Sequence, residues 1–245
     1  MPASLPAGTL YIVSTPIGNL DDMTFRAVRV LGEVDLIAAE DTRTSGVLLK
    51  HFNIRKPMVS YFSHNESRRA GALVGALKEG RNVALVTDAG TPGISDPAYT
   101  VVREALDAGI LVVPIPGPSA LLAALVTSGL PMERFLFEGF LPLKKGRQTR
   151  WKALRDESRT IVIYESPQRI IRAVEELILH LGDRRVAVGR ELTKKFEEVV
   201  RGKASSVLKQ LQSREPRGEY VIVVAGTDFK DDEAIPPRVH SLMPL

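Results

Sequence analysis

The stretch of this chain that most constrains its fold covers residues 83–97 and reads VALVTDAGTPGISDP. An apolar run ends at Thr87-Asp88, and a loop with two glycines and two prolines follows before a helical pattern begins. This order is typical of a buried strand, a loop and a helix in an open α/β sheet, whose ligands bind at the carboxyl edge of the strands. Asp88 is therefore a candidate to accept hydrogen bonds from a ligand hydroxyl or amine. A tight turn without a ligand explains the same loop equally well.

Composition limits the class of protein. The chain has 245 residues, enough for one large or two small domains, and 44% of them are hydrophobic. No apolar run reaches the roughly 18 to 20 residues that span a bilayer, so we expect no membrane segment. The absence of cysteine excludes disulfides, thiolate zinc sites and a cysteine nucleophile, and it fits a cytoplasmic location. A net charge of +4 favours an anionic partner only weakly.

Apolar runs alternate with amphipathic segments in the first half of the chain. This alternation predicts βαβ units and a mostly parallel sheet. The predicted strands are 10–14, 36–39, 58–61, 83–86 and 111–115, and the predicted helices include 66–79 and 97–108.

The proline-rich segment 114–118 interrupts this pattern, and we place a domain joint there. The predicted domains are 8–116 and 117–228, followed by a tail, 229–245. In the second domain a short link between two strands indicates a hairpin and hence a mixed sheet. Its predicted strands are 135–140, 160–164, 186–189, 198–201 and 220–225, and its helices are 120–126, 170–181 and 205–212.

Four loops rich in glycine, proline, serine and threonine follow predicted strands. None matches a dinucleotide-binding or phosphate-binding glycine motif, so a nicotinamide cofactor or a nucleoside triphosphate is not indicated. Loops contributed by both domains favour a small polar ligand in a cleft between them. The four histidines have no metal-ligand spacing, so no metal is expected.

Two polar runs also end strands. Glu40, Asp41 and Arg43 follow the second strand, where a helix cap with an ion pair explains them as well as a catalytic role does. His64 and Glu66 follow the third strand, and His64 is either part of the next helix start or a substrate contact.

A basic run lies in the second predicted domain, at residues 144–155. It holds six cations within twelve residues, without an acid and with Trp151 among them. A solvated face is the usual explanation, but a basic surface with an aromatic side chain also suits an RNA backbone. The predicted RNA contacts are Lys144, Lys145, Arg147, Arg150 and Lys152, and Arg155 completes the run.

Taken in order, several runs resemble the tetrapyrrole (corrin/porphyrin) methylase superfamily, and within it the branch that modifies ribosomal RNA. The resemblance covers about residues 8 to 226. It rests on GTLYIVSTPIGNLDDMT, AAEDTRTSGVLLKHF, SYFSHNE, VALVTDAGTPGISDP, PIPGPSALLAAL, YESPQR, GRELTK and GEYVIVV.

The resemblance implies two α/β domains with S-adenosylmethionine in the cleft between them, and a homodimer. Asp88 stands where the family has the aspartate of a Gly-Asp-Pro motif, with Ala89 here in place of the proline. The cofactor-binding positions that the resemblance implies are Ile17, Asp88, Thr91, Ser119, Ala120, Glu165 and Ser166.

The expected reaction is 2′-O-methylation of a cytidine ribose in 16S ribosomal RNA of the small subunit. A ribose hydroxyl must lose its proton, so a general base or a cation that stabilises the alkoxide is needed. The candidates are Glu40, Asp41, Arg43, His64 and Glu66. Two rivals remain: C-methylation of a porphyrin or corrin precursor, and a non-catalytic RNA-binding module.

Overall fold

The computed structural model describes residues 5–64, 66–230 and 240–241. The chain divides into two compact units, Met1–Ser119 and Ala120–Leu245. The predicted domain boundary comes directly before the short segment Gly117-Pro118-Ser119, and the observed division comes directly after it.

Unit 1 contains one sheet with helices on both faces. In chain order its elements are β1 (Leu10–Val13), α1 (Phe25–Glu33), β2 (Leu36–Ala39), α2 (Thr42–His51), β3 (Met58–Ser60), α3 (Glu66–Lys78), β4 (Val83–Val86), α4 (Tyr99–Asp107) and β5 (Val112–Ile115), with a 3₁₀ turn at Leu20–Asp22.

The sheet of unit 1 is entirely parallel, with strand order β3-β2-β4-β1-β5. Its central strands are buried on both faces, as continuous apolar runs in a parallel sheet require. Pro114 lies in the edge strand β5, where a missing N–H donor is tolerated. The predicted parallel sheet is confirmed.

The two faces of this sheet are covered by different helices. Residues Ala27, Leu31 and Leu49 of α1 and α2 belong to one core cluster, and Leu73 and Val101 of α3 and α4 belong to the other. The helices α1 and α2 were not predicted individually. Their N-caps explain where they begin, since Thr24 Oγ1 accepts from Ala27 N at 3.1 Å and Asp41 Oδ1 accepts from Arg43 N at 2.8 Å.

Unit 2 contains a six-stranded sheet of order β11-β9-β8-β10-β7-β6. In chain order its elements are α5 (Ala120–Thr127), β6 (Phe135–Phe140), α6 (Arg147–Ala153), β7 (Thr160–Glu165), α7 (Ile170–Leu181), β8 (Arg185–Arg190), β9 (Glu198–Lys203), α8 (Ala204–Gln212), β10 (Tyr220–Val224) and β11 (His240–Ser241).

The sheet of unit 2 is mixed, as predicted. The strands β6 and β7 are parallel, β8 and β9 form the predicted hairpin, and β10 runs antiparallel to both of its neighbours. One core cluster joins α6, α7 and α8 to a face of this sheet, with Trp151 fully buried in it.

The predicted tail is only partly described. Its residues 231–239 and 242–245 lie outside the described residues, and β11 within it pairs antiparallel with β9. Among the helices of the described chain, none is both long and apolar enough to span a membrane.

Candidate functional site

The carboxyl edge of the sheet in unit 1 has a topological switch point. The connections after β1 and β2 lead to helices on one face, whereas the connection after β4 leads to α4 on the other face. The strands β1 and β4 are neighbours in the sheet. The connection after β1 runs toward β2, whereas the connection after β4 runs the opposite way, toward β5. Such a divergence opens the crevice in which open α/β sheets bind ligands. Asp88 follows β4 at this point.

The loops after β1 and β4 are fastened to each other. Thr15 and Gly90 exchange two backbone hydrogen bonds, at 2.9 and 3.0 Å, and the buried Thr15 hydroxyl donates to the Thr87 carbonyl at 3.0 Å. The hydroxyls of Ser14 and Thr91 are 2.9 Å apart. The predicted position Thr91 is thus fixed in the switch-point loop, and the backbone of this edge is held rigidly.

Two glycines keep this edge free of side chains. Gly90 has φ of +80°, and a Cβ built there would lie 3.6 Å from Ile17 Cγ2 and 3.9 Å from the Pro118 carbonyl oxygen. At Gly117 a Cβ would come within 2.9 Å of Ser14 Cβ, which is too close. The predicted position Ile17 therefore lies beside Gly90. The predicted position Ser119 follows Pro118, which borders the same glycine, and Ala120 begins α5 directly afterwards.

Asp88 is exposed and surrounded by polar groups. Its Oδ1 accepts from Asp41 N at 3.2 Å, and its own N–H donates to Glu40 Oε2 at 3.3 Å. Partial burial, followed by the nearby Glu40 charge, raises the pKa of the Asp88 carboxyl above its usual value. A ligand that donates hydrogen bonds or carries positive charge would relieve this repulsion.

Glu40 organises the tip of β4. Its Oε2 accepts a hydrogen bond from the Thr87 hydroxyl at 2.5 Å and another from the Asp88 N–H. The predicted catalytic position thus joins the ends of β2 and β4.

Sequence reasoning did not single out Asp96, which belongs to the same acidic group. Burial, then the Glu40 charge, raises the pKa of Asp96 to about 6, although a hydrogen bond with Thr87 opposes the shift. A pKa near neutrality suits proton transfer. The residue before it, Ser95, has φ of +75°, an uncommon conformation outside glycine. The only signal in the sequence was a second carboxylate within residues 83–97.

Asp41 and Arg43 form an exposed pair at the start of α2. Arg43 Nη2 lies 2.6 Å from Asp41 Oδ2, and its side chain is 90% exposed. The hydrogen bonds from Arg43 lower the pKa of Asp41 to about 2. Such a carboxylate is a poor proton acceptor at neutral pH, and it holds the exposed guanidinium of Arg43 beside it.

Glu66 and His64 differ sharply in their surroundings. Glu66 Oε1 accepts from the Tyr61 hydroxyl at 3.2 Å and from Thr100 N at 3.1 Å, so it fastens α3 to the start of α4. His64 is exposed, with its ring edge-on to Phe62 at 6.2 Å between centroids. These contacts give Glu66 a structural role and leave His64 accessible.

In unit 2 the predicted cofactor positions lie at the end of β7. The Glu165 side chain is fully buried; its Oε1 accepts from Ser166 N at 2.8 Å and lies 2.7 Å from Arg169 Nη2. The Ser166 hydroxyl accepts from Arg169 Nε at 3.0 Å. Glu165 therefore shapes this loop from beneath and has no surface to offer a ligand.

The structure corrects the interpretation of the basic run. Arg147 is buried, and its guanidinium lies 2.6 Å from Glu176 Oε2 and 3.5 Å from Glu165 Oε2. Trp151 is also buried, and its Nε1 donates to Glu176 at 3.0 Å. Both face inward because residues four apart lie on one side of a helix, and α6 was not predicted.

The remaining cations of the run are exposed. Arg150 pairs with Glu138 through two hydrogen bonds, one of them 2.7 Å long. Lys144, Lys145 and Lys152 stay at the surface. Among the described residues, no cluster of three or more acidic, histidine or cysteine side chains could hold a metal ion.

This switch-point fold belongs to a known family. Residues 9–208 match the model of the tetrapyrrole (corrin/porphyrin) methylases, and the chain is a member of that family.

The chain is also similar to individual proteins. It is 47% identical to the ribosomal RNA small subunit methyltransferase I of Synechocystis, over 96% of this chain and 87% of that one. The protein of the same name from Thermotoga maritima is 46% identical, over 90% of this chain and all of that one. Among solved structures, the methyltransferase CobJ covers 97% of this chain with a TM-score of 0.68 and 19% identity, which shows the shared fold.

Proposed function

We propose that this protein methylates 16S ribosomal RNA in the small ribosomal subunit, with S-adenosylmethionine as the methyl donor and a cytidine ribose 2′-hydroxyl as the acceptor. The observation that carries the proposal is the 47% identity, over nearly the whole chain, to a ribosomal RNA small subunit methyltransferase. The family match supports the same cofactor.

The residues at the switch point fit this cofactor. S-adenosylmethionine carries hydroxyls and an amine that donate hydrogen bonds, and Asp88 offers an exposed carboxylate to accept them. Gly90 and Gly117 leave backbone, not side chains, at the same edge. When bound, the cofactor supplies an activated methyl group on a sulfonium, so positioning contributes much of the acceleration.

The chain's own residues must manage the acceptor proton and the RNA charge. Asp96, with its pKa raised to about 6, is a proton acceptor near neutral pH. Arg43 can stabilise negative charge that develops on the ribose oxygen. Glu40 positions Thr87 and Asp88 from behind, and the exposed cations Lys144, Lys145, Arg150 and Lys152 contact phosphates.

A direct assay tests the proposal. Small subunits from cells lacking the protein are incubated with it and with S-adenosylmethionine carrying a labelled methyl group, and the digested RNA is analysed for 2′-O-methylcytidine. Label in that nucleoside is the expected result. Label in uroporphyrinogen but not in RNA would favour the porphyrin rival, and a calorimetric titration without cofactor binding would favour the RNA-binding module.

A cytoplasmic location and a homodimer belong to the same proposal. Exposed apolar side chains such as Phe25 and Val47, 97% and 70% accessible, are of the kind that subunit interfaces cover. Light scattering on the purified protein measures the oligomeric state.

A further inference from the structure

A cavity in unit 2 joins two cations of the basic run, Lys152 and Arg155, to the C-terminal end of α7. It has a volume of about 740 Å³ and opens between the C-terminal ends of α6 and α7. Small-molecule sites in proteins occupy roughly 300 to 1,000 Å³, so the space suits a ligand of nucleotide size. The cavity is lined by Lys152, Arg155, Asp156, Ile178, Leu179, His180, Leu181 and Gly182.

The charge of this cavity favours an anion. Lys152 and Arg155 are exposed, and neither forms an ion pair with any residue of the described chain. Asp156 is the one acid among the described lining residues. It lies near Arg184 and acts to raise the pKa of that guanidinium, against the larger lowering caused by burial. The lining therefore carries the two cations Lys152 and Arg155 against the single carboxylate of Asp156, an excess of positive charge.

The other wall of the cavity is apolar. Leu179 is 75% exposed although it belongs to α7, and Ile178 beside it is half-buried. The His180 ring is stacked on that of the buried Trp151, with 13° between the ring planes and 6.4 Å between the ring centroids. Its Nε2 is buried and has no hydrogen-bond partner in the part of the chain that the structure describes. A flat surface beside cations matches a nucleobase joined to a phosphate.

We propose that this cavity binds one nucleotide of the single-stranded ribosomal RNA segment, with the phosphate on Lys152 and Arg155 and the base against Leu179 and His180. The inference rests on the proposed function, since it names where the RNA of that reaction is gripped.

The cavity lies at the end of α6 that is remote from Glu165, the predicted cofactor position of unit 2, so the proposal assigns it a flanking nucleotide and not the reacting one. The helix begins at Arg147, which lies against Glu165 at the end of β7, and it rises roughly 9 Å from there to Ala153 at 1.5 Å per residue. The cavity lies at the far end of α6.

The first test removes the two cations. Lys152→Gln with Arg155→Gln is compared with Lys209→Gln and Lys230→Gln, an equal loss of charge at exposed positions of the same unit. Binding of a fluorescein-labelled single-stranded oligoribonucleotide is measured over a range of salt concentrations. Loss of two phosphate contacts should lower the slope of log K against log salt by about 1.4, and the control pair should leave it unchanged.

The second test separates the base surface from the charge. Leu179→Ser alters no charge, and its exposed side chain makes failure to fold unexpected. We expect a several-fold loss of oligoribonucleotide affinity with an unchanged salt slope. Circular dichroism and calorimetric binding of S-adenosylmethionine show whether each variant is folded and keeps its cofactor site.

The outcomes are distinct. The proposal is overturned if both cavity variants bind the oligoribonucleotide with the affinity and salt slope of the control pair. The cavity then serves another partner, such as an acidic peptide. Failure of the wild-type protein to methylate small subunits counts against the proposed function alone, because the oligoribonucleotide titration still measures the cavity.

Discussion

The acids at the switch point are Glu40, Asp88 and Asp96, here called the switch-point group. Among them, Asp96 has the pKa that is raised most. Its pKa, raised to about 6, exceeds the ordinary value of 3.8, so the folded protein holds this proton more tightly than the unfolded chain. Its contribution to stability is therefore complete below about pH 4 and is lost as the pH rises through 6. In Asp96→Asn this loss is absent, and the variant should melt above the wild type at pH 7 but not at pH 4. Melting temperatures measured from pH 4 to 8 check this, and parallel curves would contradict the shifted pKa.

Asp88 is the residue on which cofactor binding should depend most directly. Its carboxylate is exposed at the switch point. Asp88→Ala should weaken S-adenosylmethionine binding by roughly 1 to 3 kcal/mol, the scale of a hydrogen bond to a charged group. Calorimetry measures the affinity, and Glu79→Ala, an exposed carboxylate at the end of α3, is the matched control. Equal affinities in a folded Asp88→Ala protein would remove Asp88 from the site.

The sequence singled out Asp88 as a candidate because a strand followed by a loop is a local pattern. It could not identify Asp96, because the closeness of this carboxylate to Glu40 depends on how two distant segments pair. The direction of Arg147 was missed for a related reason. A row of cations looks like a surface until the helix is recognised and its period turns Arg147 and Trp151 toward Glu176.

At the scale of elements, the loop after β4 depends on glycine in a left-handed conformation. Gly90→Ala should lower the free energy of unfolding by about 1 to 2 kcal/mol, because Gly90 has φ of +80°. Gly71→Ala is the counterpart within α3, where no atom lies within 4 Å of the added Cβ. There alanine should raise the free energy of unfolding by about 1 kcal/mol. Urea titrations measure both, and the same sign for the two variants would refute the argument.

A buried network of charged side chains connects α6, α7 and β7. Arg147 pairs with Glu176 and Glu165, and all three side chains are nearly inaccessible. Arg147→Met leaves two buried carboxylates without this partner and should lower the free energy of unfolding by about 3 to 5 kcal/mol. Arg103→Gln breaks the exposed pair with Asp107 and should cost at most about 1 kcal/mol. Comparable losses in both would show that burial does not decide the effect.

At the scale of the whole molecule, the sequence predicted both sheets and their character. Short apolar runs marked ten strands, and the short link after β8 indicated the hairpin that makes the second sheet mixed. The strand order β3-β2-β4-β1-β5 could not be predicted, because no local sequence pattern indicates that β4 inserts between β1 and β2. That insertion creates the switch point, so the reason why Asp88 is well placed appears only in the folded chain.

Methyl transfer to RNA involves two substrates, the cofactor and the RNA, and we expect different residues to bind them. Arg43 and His64 are exposed after β2 and β3, and Arg43 acts on the cofactor candidate Asp88 through its charge. Arg43→Ala and His64→Ala should slow methyl transfer far more than they weaken cofactor binding. Loss of a general acid, base or charge-stabilising group typically lowers the rate by about 10²- to 10⁴-fold.

Single-turnover transfer to small subunits, beside calorimetric binding of S-adenosylmethionine, measures the two effects separately. Glu66→Gln serves as the contrast, because Glu66 bonds to Tyr61 and Thr100 and its loss should appear in stability first. If Arg43→Ala and His64→Ala both transfer at the wild-type rate, the developing alkoxide is stabilised elsewhere. Proton removal then falls to Asp96, the one acid of the switch-point group whose pKa is raised to about 6.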